Sequence, residues 1–434
     1  MSIVLSLTGQ LDLAERLSRT EARDWLARAA VWFEGVGDAV LDAHVVRDGD
    51  EKPVLLVALH PASPAAEVRL GAGGKLRVTA TTSPAGPGYH IHLCELFRQM
   101  ADEFEFAWIA DDCDDPTGYF RTKDRGACER HFLRWLADEC AKGEAAVGLP
   151  AGHGFTYPAE VLTPLGPRSR AWLAEVASDP AKGRDFFAWW NPDLDPAFYR
   201  GRALVRLWCD FFWRPPLSEA EGELADGIAN DLASAFKLDP AAELPWAEWL
   251  ELLTAIAGDE DGYCVTPNDE GLGIELWKHM GPVAETAETE KGRIGYRRYP
   301  VRVALEGGWS VEVPGELARE RNEDRTWTAW DRTRTVWFHP LRFTKPGGRA
   351  PTASEAAEVG RKSLPEGNPL PSFDRDGLRG EAVFGPVEED GRTLWRLSSV
   401  TGAPRQLAVC NVYSDSESDR DWAVRTWHSL RHGG

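Results

Sequence analysis

The sequence predicts an α+β, multi-domain protein. Residues 1–150 read as an α+β domain, 151–290 as a mainly helical, Trp-rich segment, and 291–434 as an antiparallel, sandwich-like sheet with packed helices. Three observations predict this layout. The chain has 434 residues, and domains run to roughly 100–200 residues each. The apolar period changes from that of a helix to that of a strand after residue 300. The charge changes at nearly the same place: Lys291–Gly434 carries 23 Lys/Arg against 20 Asp/Glu, leaving 26 against 49 before it. The net charge of -20 therefore divides into -23 and +3.

The first helix is announced by Ser18 and Glu21, whose spacing is that of a capping box, followed by Ala22, Trp25, Leu26, Ala29 and Phe33 on one helical face. VLLVALH (54–60) and KLRVTATT (75–82) read as strands, and the turn at 83–88 separates the second from a helix over 90–100. FEFAWIA (104–110) reads as another buried strand, and 124–142 as a helix around Phe132, Leu133, Trp135 and Leu136.

After the small-residue stretch 141–154 the pattern becomes helical. RALVRLWCDFFW (202–213) ends at Pro215–Pro216, and Leu224, Ile228, Leu232 and Phe236 repeat every four residues behind Ser218 and Glu221. PWAEWLELLTAIA (245–257) places Pro245 at a first helical position, where its missing N–H costs nothing. Residues 281–295 suit a linker.

The last segment alternates. VRVALEGGWSVEVPGE (301–316) predicts a hairpin bending at Gly307–Gly308. Strands are expected at 333–343, 380–387, 393–400 and 405–414, and an amphipathic helix at 419–430. The hairpin, the β-rich meander and the closing DRDWAVRTWHSL resemble the PsbP-like α/β/α sandwich, which includes the bacterial DcrB-like domains; Trp309, Pro314, Trp422 and Leu430 carry the likeness. The resemblance implies a domain that acts in binding or assembly. It covers the last third only, and residues 1–290 match no family pattern.

Several stretches could carry chemistry. The turn before the 90–100 helix could bind an anion through Gly86, Gly88 and Tyr89, because a helix start offers unbonded N–H groups. It is neither a P-loop nor a dinucleotide fingerprint. His90 and His92 cannot converge on a helix, whereas His90 and Cys94 can, as a metal pair or a Cys–His nucleophile. His60 is a candidate third group. Asp111, Asp112, Asp114 and Asp115 form an acidic loop that could hold a divalent cation, so His90, His92, Asp112 and Asp114 are the candidate metal ligands. Catalytic candidates are His60, His90, Cys94 and Asp111. Rigid turns, helix caps and a solvated acidic loop account for the same residues without chemistry. Most of the 19 tryptophans are expected in cores, but RTWTAWDRTRTVWF alternates rings with arginines. Trp327, Trp330, Arg332, Arg334 and Trp337 are therefore the candidate partner-binding surface, with Trp327 and Trp337 expected on one face of a strand.

The acidity of residues 1–290 argues against nucleic-acid and anionic-membrane binding there. No apolar run reaches 18 residues. The N-terminus meets Asp12 and Glu15 before any basic region and does not read as a signal peptide. Seven widely spaced cysteines without a C-x-x-C pair suit a reducing cytoplasm. No cofactor is expected. The reading favoured is a non-enzymatic cytoplasmic adaptor that binds a basic protein partner, of the immunity or defence type. The alternative is a metal-dependent hydrolase with a cleft at Gly86–His92 and Asp111–Asp115.

Overall fold

In a computed structural model the described residues are 2–12, 16–37, 39–149, 153–158, 160–257, 294–342, 349–389 and 391–433. The chain is α+β and multi-domain, with helices and antiparallel sheets in separate regions. It divides into two compact units. Unit 1 holds residues 1–151, 158–211 and 220–295; unit 2 holds 152–157, 212–219 and 296–434. The first two segments read from the sequence thus share unit 1, and unit 2 recruits two short pieces from far upstream.

Unit 1 contains a six-stranded antiparallel sheet ordered β2-β3-β4-β5-β1-β6. Its strands are β1 (Val4–Gln10), β2 (Asp42–Arg47), β3 (Pro53–Ala58), β4 (Ala66–Leu70), β5 (Lys75–Thr81) and β6 (Ala107–Trp108). β5 alternates cleanly, with Leu76, Val78 and Ala80 buried and Lys75, Arg77 and Thr79 exposed. Such alternation fits a sheet with one dry and one wet face. The helix α1 (Arg19–Gly35) is held by the Ser18–Glu21 capping box and buries Trp25, Leu26, Ala29 and Phe33. Phe33 meets Phe97 of α2 (Pro87–Glu103) edge-on at 5.9 Å.

The strand expected over 104–110 is a correction. α2 runs to Glu103, Glu105 takes a left-handed φ of 51°, and only Ala107–Trp108 pairs with β1. Phe104 and Phe106 turn into a ring cluster with Trp25, 5.0 and 6.4 Å away, so ring packing rather than a ladder claims this run. The strands β1, β2 and β4, unread in the sequence, are short or only partly apolar.

The chain continues through α3 (Tyr119–Thr122), α4 (Arg125–Ala141), α5 (Arg170–Ser178), α6 (Pro196–Cys209), α7 (Glu219–Leu238) and α8 (Trp246–Ala257). Pro245 lies just before α8 and lends its carbonyl to Trp249 N–H (2.8 Å). α6 and α7 are joined by a buried ion pair in which Arg202 Nε donates to both carboxylate oxygens of Asp231, at 2.9 and 3.0 Å.

Unit 2 is built on an eight-stranded sheet with the main order β12-β14-β15-β16-β11-β10-β9, and β13 pairing β14. A second sheet runs β17-β8-β7. The strands are β7 (Val301–Ala304), β8 (Trp309–Val313), β9 (Ala318–Arg321), β10 (Trp327–Trp330), β11 (Arg334–Arg342), β12 (Asn368–Pro369), β13 (Phe373–Arg375), β14 (Leu378–Glu389), β15 (Arg392–Ala403), β16 (Gln406–Ser414) and β17 (Arg431–His432). The expected bend falls at Gly307 and Gly308, both with φ near 80°. One face of the large sheet packs against β8 and the helix α10 (Arg420–His428), around Trp309, Phe338, Leu397, Val412 and Trp427. Both tryptophans are fully buried with their indole N–H groups satisfied, Trp309 by Gln406 Oε1 (2.9 Å) and Trp427 by Thr401 Oγ1 (3.1 Å). The other face is covered in part by α9 (Ala353–Arg361), which comes so close that a Cβ on Gly402 would lie 2.0 Å from Ala353 O.

Candidate functional site

The turn after β5 leads straight into α2. Pro87 takes the first turn of the helix, and Gly86, its N-cap, has φ 123°, a conformation that side-chain-bearing residues rarely adopt. A Cβ at Gly88 would stand 2.4 Å from Asn191 O. Gly88 N–H donates to Trp189 O (3.0 Å), and Trp189 N–H donates to Ala85 O (2.9 Å). The segment 189–191 therefore covers the helix start. Gly86, Gly88 and Tyr89 do not form the expected anion site, because carbonyl oxygens of the chain already occupy that place. Tyr89 is buried beside Trp189, ring centroids 5.7 Å apart, and burial pushes its phenol pKa up.

One turn into α2 the side chains do converge. His90 and Cys94 are both fully buried. His90 Nδ1 is 3.0 Å from Thr82 Oγ1, and its Nε2 is 3.1 Å from Thr117 Oγ1 and 3.2 Å from Asp115 Oδ1. Asp115 Oδ1 also accepts from Thr117 N–H (2.9 Å) and Thr117 Oγ1 (2.8 Å), and Oδ2 accepts from Phe120 N–H (2.7 Å). Burial alone would raise the Asp115 pKa; the hydrogen bond from His90, its charge and these donors hold it well below the usual carboxylate range. Burial, then the Asp115 charge, push the Cys94 thiol well up. A ring nitrogen of His90, the Cys94 sulfur and an Asp115 oxygen all lie within 4.8 Å of one another, the one such group of His, Cys and acidic side chains among the described residues.

The remaining candidates are elsewhere. Asp111, Asp112 and Asp114 are exposed, and Asp112 pairs with Lys75 at 3.0 Å. The carboxylate that turns inward is Asp115, because the run Asp115-Pro116-Thr117-Gly118 closes an Asx turn on Thr117. That turn was the available sequence signal. His92 points away from His90, as helix geometry requires, and faces Pro192 O (3.3 Å) and the Trp189 ring (5.0 Å). His60 follows β3 and accepts from Ala62 N–H (3.2 Å) through Nδ1, while its ring lies 5.9 Å from Trp189. It is outside the group formed by His90, Cys94 and Asp115. The cleft expected between Gly86–His92 and Asp111–Asp115 is thus filled with packed side chains and backbone.

In unit 2 the tryptophan run spans two strands and a turn, which corrects the expected pairing of Trp327 with Trp337. β10 and β11 register Trp327 with Phe338, Thr328 with Trp337 and Trp330 with Thr335. Trp327 and Phe338 are core residues. Trp330 and Trp337, half-buried, share the opposite face. The turn at 331–333 resets the alternation that a single strand would have kept. Arg334 lies on the inner face, bridging Asp331 and Glu316 and covering the Trp422 ring at 5.3 Å, while Arg332 is exposed in the turn. The open face of the sheet holds a groove of about 430 Å³ lined by Thr335, Trp337, Glu389, Leu394, Asn411 and Tyr413. Arg396 reaches its edge, 5.9 Å from the Tyr413 ring and 4.0 Å from Glu389. Asn411 and Tyr413 join this surface because β16 registers them against Trp337 and Thr335, a long-range pairing with no local signature.

No protein-family model matches the chain, and no curated protein sequence matches it. Among solved structures, a protein from Bacteroides thetaiotaomicron aligns over 29% of this chain at 10% identity and a TM-score of 0.25. The chain spans 46% of that protein's length. A likeness of that size carries no argument about site or function. No described helix is long and apolar enough to cross a membrane.

Proposed function

We propose that this protein is a cytoplasmic, non-enzymatic adaptor that binds a basic protein partner on the open face of the unit 2 sheet. The observation that carries the reading is the groove, where the Trp337 and Tyr413 rings stand beside the Glu389 carboxylate. Aromatic faces next to a carboxylate favour Lys or Arg side chains through cation–π attraction and ion pairing, the contacts that Arg396 of this chain makes at the groove's edge and that a partner's cation would share or displace. Asn411 and Thr335 add neutral hydrogen-bonding groups for a backbone. The net charge of -20 steers basic proteins toward the chain as a whole at low salt, but it resides in residues 1–290, and the segment that holds the groove carries +3, so Glu389 and the rings must supply the local attraction. The likeness of the last third to PsbP-like binding domains points the same way. An immunity or defence-associated role, in which a basic effector is masked, fits this chemistry.

The test uses a labelled Arg/Lys-rich peptide and the full chain, followed by fluorescence anisotropy. Binding is expected at about 0.05 M salt and is expected to weaken strongly by about 0.5 M. Trp337→Ala and Glu389→Lys are each expected to raise Kd about tenfold or more, equivalent to about 1.4 kcal/mol. Equal affinity in both variants, or no binding at low salt, overturns the reading.

A further inference from the structure

We propose that His90, Cys94, Asp115 and Cys128 form a closed, structural zinc site in the core of unit 1. Imidazole nitrogen, thiolate sulfur and carboxylate oxygen together are a zinc-type ligand set. Three of the groups already lie within 4.8 Å of one another, and His90 Nε2 and Asp115 Oδ1 are 3.2 Å apart. Tetrahedral zinc with bonds of 2.0–2.3 Å holds its ligand atoms roughly 3.3–3.8 Å apart, so groups standing up to 4.8 Å apart must draw together on binding. Cys128, also fully buried, lies in the first turn of α4; its sulfur is outside the group of three that meets within 4.8 Å, so it has to move inward to become the fourth ligand.

The surroundings match what orients metal ligands. His90 has Nδ1 against Thr82 Oγ1, so the nitrogen that would turn to the metal is Nε2, which faces Asp115 Oδ1 and would give up its contact with Thr117 Oγ1. Asp115 is fixed by Thr117 and by Phe120 N–H. Such partners set tautomer and direction. Four protein ligands would make the site structural, since a catalytic zinc keeps an open position, and three of them, His90, Cys94 and Cys128, are fully buried. On binding, Zn²⁺ displaces the thiol protons of Cys94 and Cys128, which pass to solvent. The His90 Nε2 proton that faces Asp115 also passes to solvent, which frees that nitrogen's lone pair, and Asp115 is already ionised. The ion would tie together α2, the 113–118 loop and α4. This site is independent of the sheet groove in unit 2.

The experiment measures zinc in full-length protein purified without added metal, and the absorption of protein refolded with Co²⁺. About one zinc per chain is expected, with a thiolate-to-cobalt charge-transfer band in the near ultraviolet. Cys94→Ser and Cys128→Ser, each checked for folding by circular dichroism, should lose most of the metal and the band. Cys410→Ser, buried in unit 2, should keep both. A wild-type chain that takes up neither metal on refolding, gives no thiolate band, and melts identically with and without a strong chelator overturns the proposal. That result would leave the four groups as a metal-free hydrogen-bond network.

Discussion

The His60 imidazole is fully buried against Trp189 and Phe198, with Arg202 and Arg206 nearby. Burial first, then the two positive charges, hold its pKa well below the usual value. It stays neutral in the folded chain when an unfolded histidine would take a proton. The unfolded state therefore binds more protons below about pH 6.5, and stability falls as the pH drops through that value. Between pH 7.5 and 5.5 this one group is expected to remove on the order of 1 kcal/mol, read as a lower urea midpoint. His60→Phe should flatten that part of the pH profile; an unchanged slope would show that His60 is not responsible. At this scale the sequence was partly legible. Helical spacing correctly separated His90 from His92 and joined His90 to Cys94. It could not reveal that His60 belongs with Trp189, because the two stand 129 positions apart and only the fold brings the rings together.

Elements were legible where one face alone is buried. α1 carries its capping box and its apolar stripe in plain sight, and the hairpin at Gly307–Gly308 carries its turn residues. Elements fixed by distant partners were not: the 104–110 run looks like a strand, but its rings pack on Trp25 and Trp32. The Trp327–Trp337 run looked continuous until the turn at 331–333 split it. Two predictions belong here. Asp231 is buried between Arg202 and Arg206, so Asp231→Asn leaves buried guanidinium charge uncompensated and is expected to cost about 3–5 kcal/mol in denaturant unfolding. The double change Arg202→Met with Asp231→Leu leaves only Arg206 without its carboxylate, and is expected to cost less than Asp231→Asn, which leaves both guanidiniums uncompensated. At the α2 start, a methyl at Gly88 meets the Asn191 carbonyl at 2.4 Å. Gly88→Ala is expected to destabilise by about 1–3 kcal/mol, whereas Gly73→Ala, with nothing within 4 Å, should be close to neutral.

For the whole molecule, the long segment of the second compact unit begins at Tyr296, and the charge break read near residue 290 stands a few positions before it. Charge could not show that residues 152–157 and 212–219 belong to the same unit, since neither piece has a pattern of its own. Their role is physical and specific. Arg302 N–H donates to Gly154 O (2.7 Å), Thr156 N–H to Pro300 O (3.2 Å), and Phe155 bridges to Val301. The rings of Phe155 and Tyr157 lie 4.9 and 5.4 Å from that of Tyr296, which is fully buried. A fragment of residues 291–434 lacks all of these partners. Exposing Tyr296 and its neighbours is expected to cost it about 2–3 kcal/mol relative to unit 2 in the intact chain. Urea unfolding of the fragment should show a lower midpoint, and a synthetic peptide of residues 152–158 should raise it in a concentration-dependent way. A fragment as stable as the intact unit, and indifferent to the peptide, would mean that the upstream pieces only decorate a sheet that folds without them.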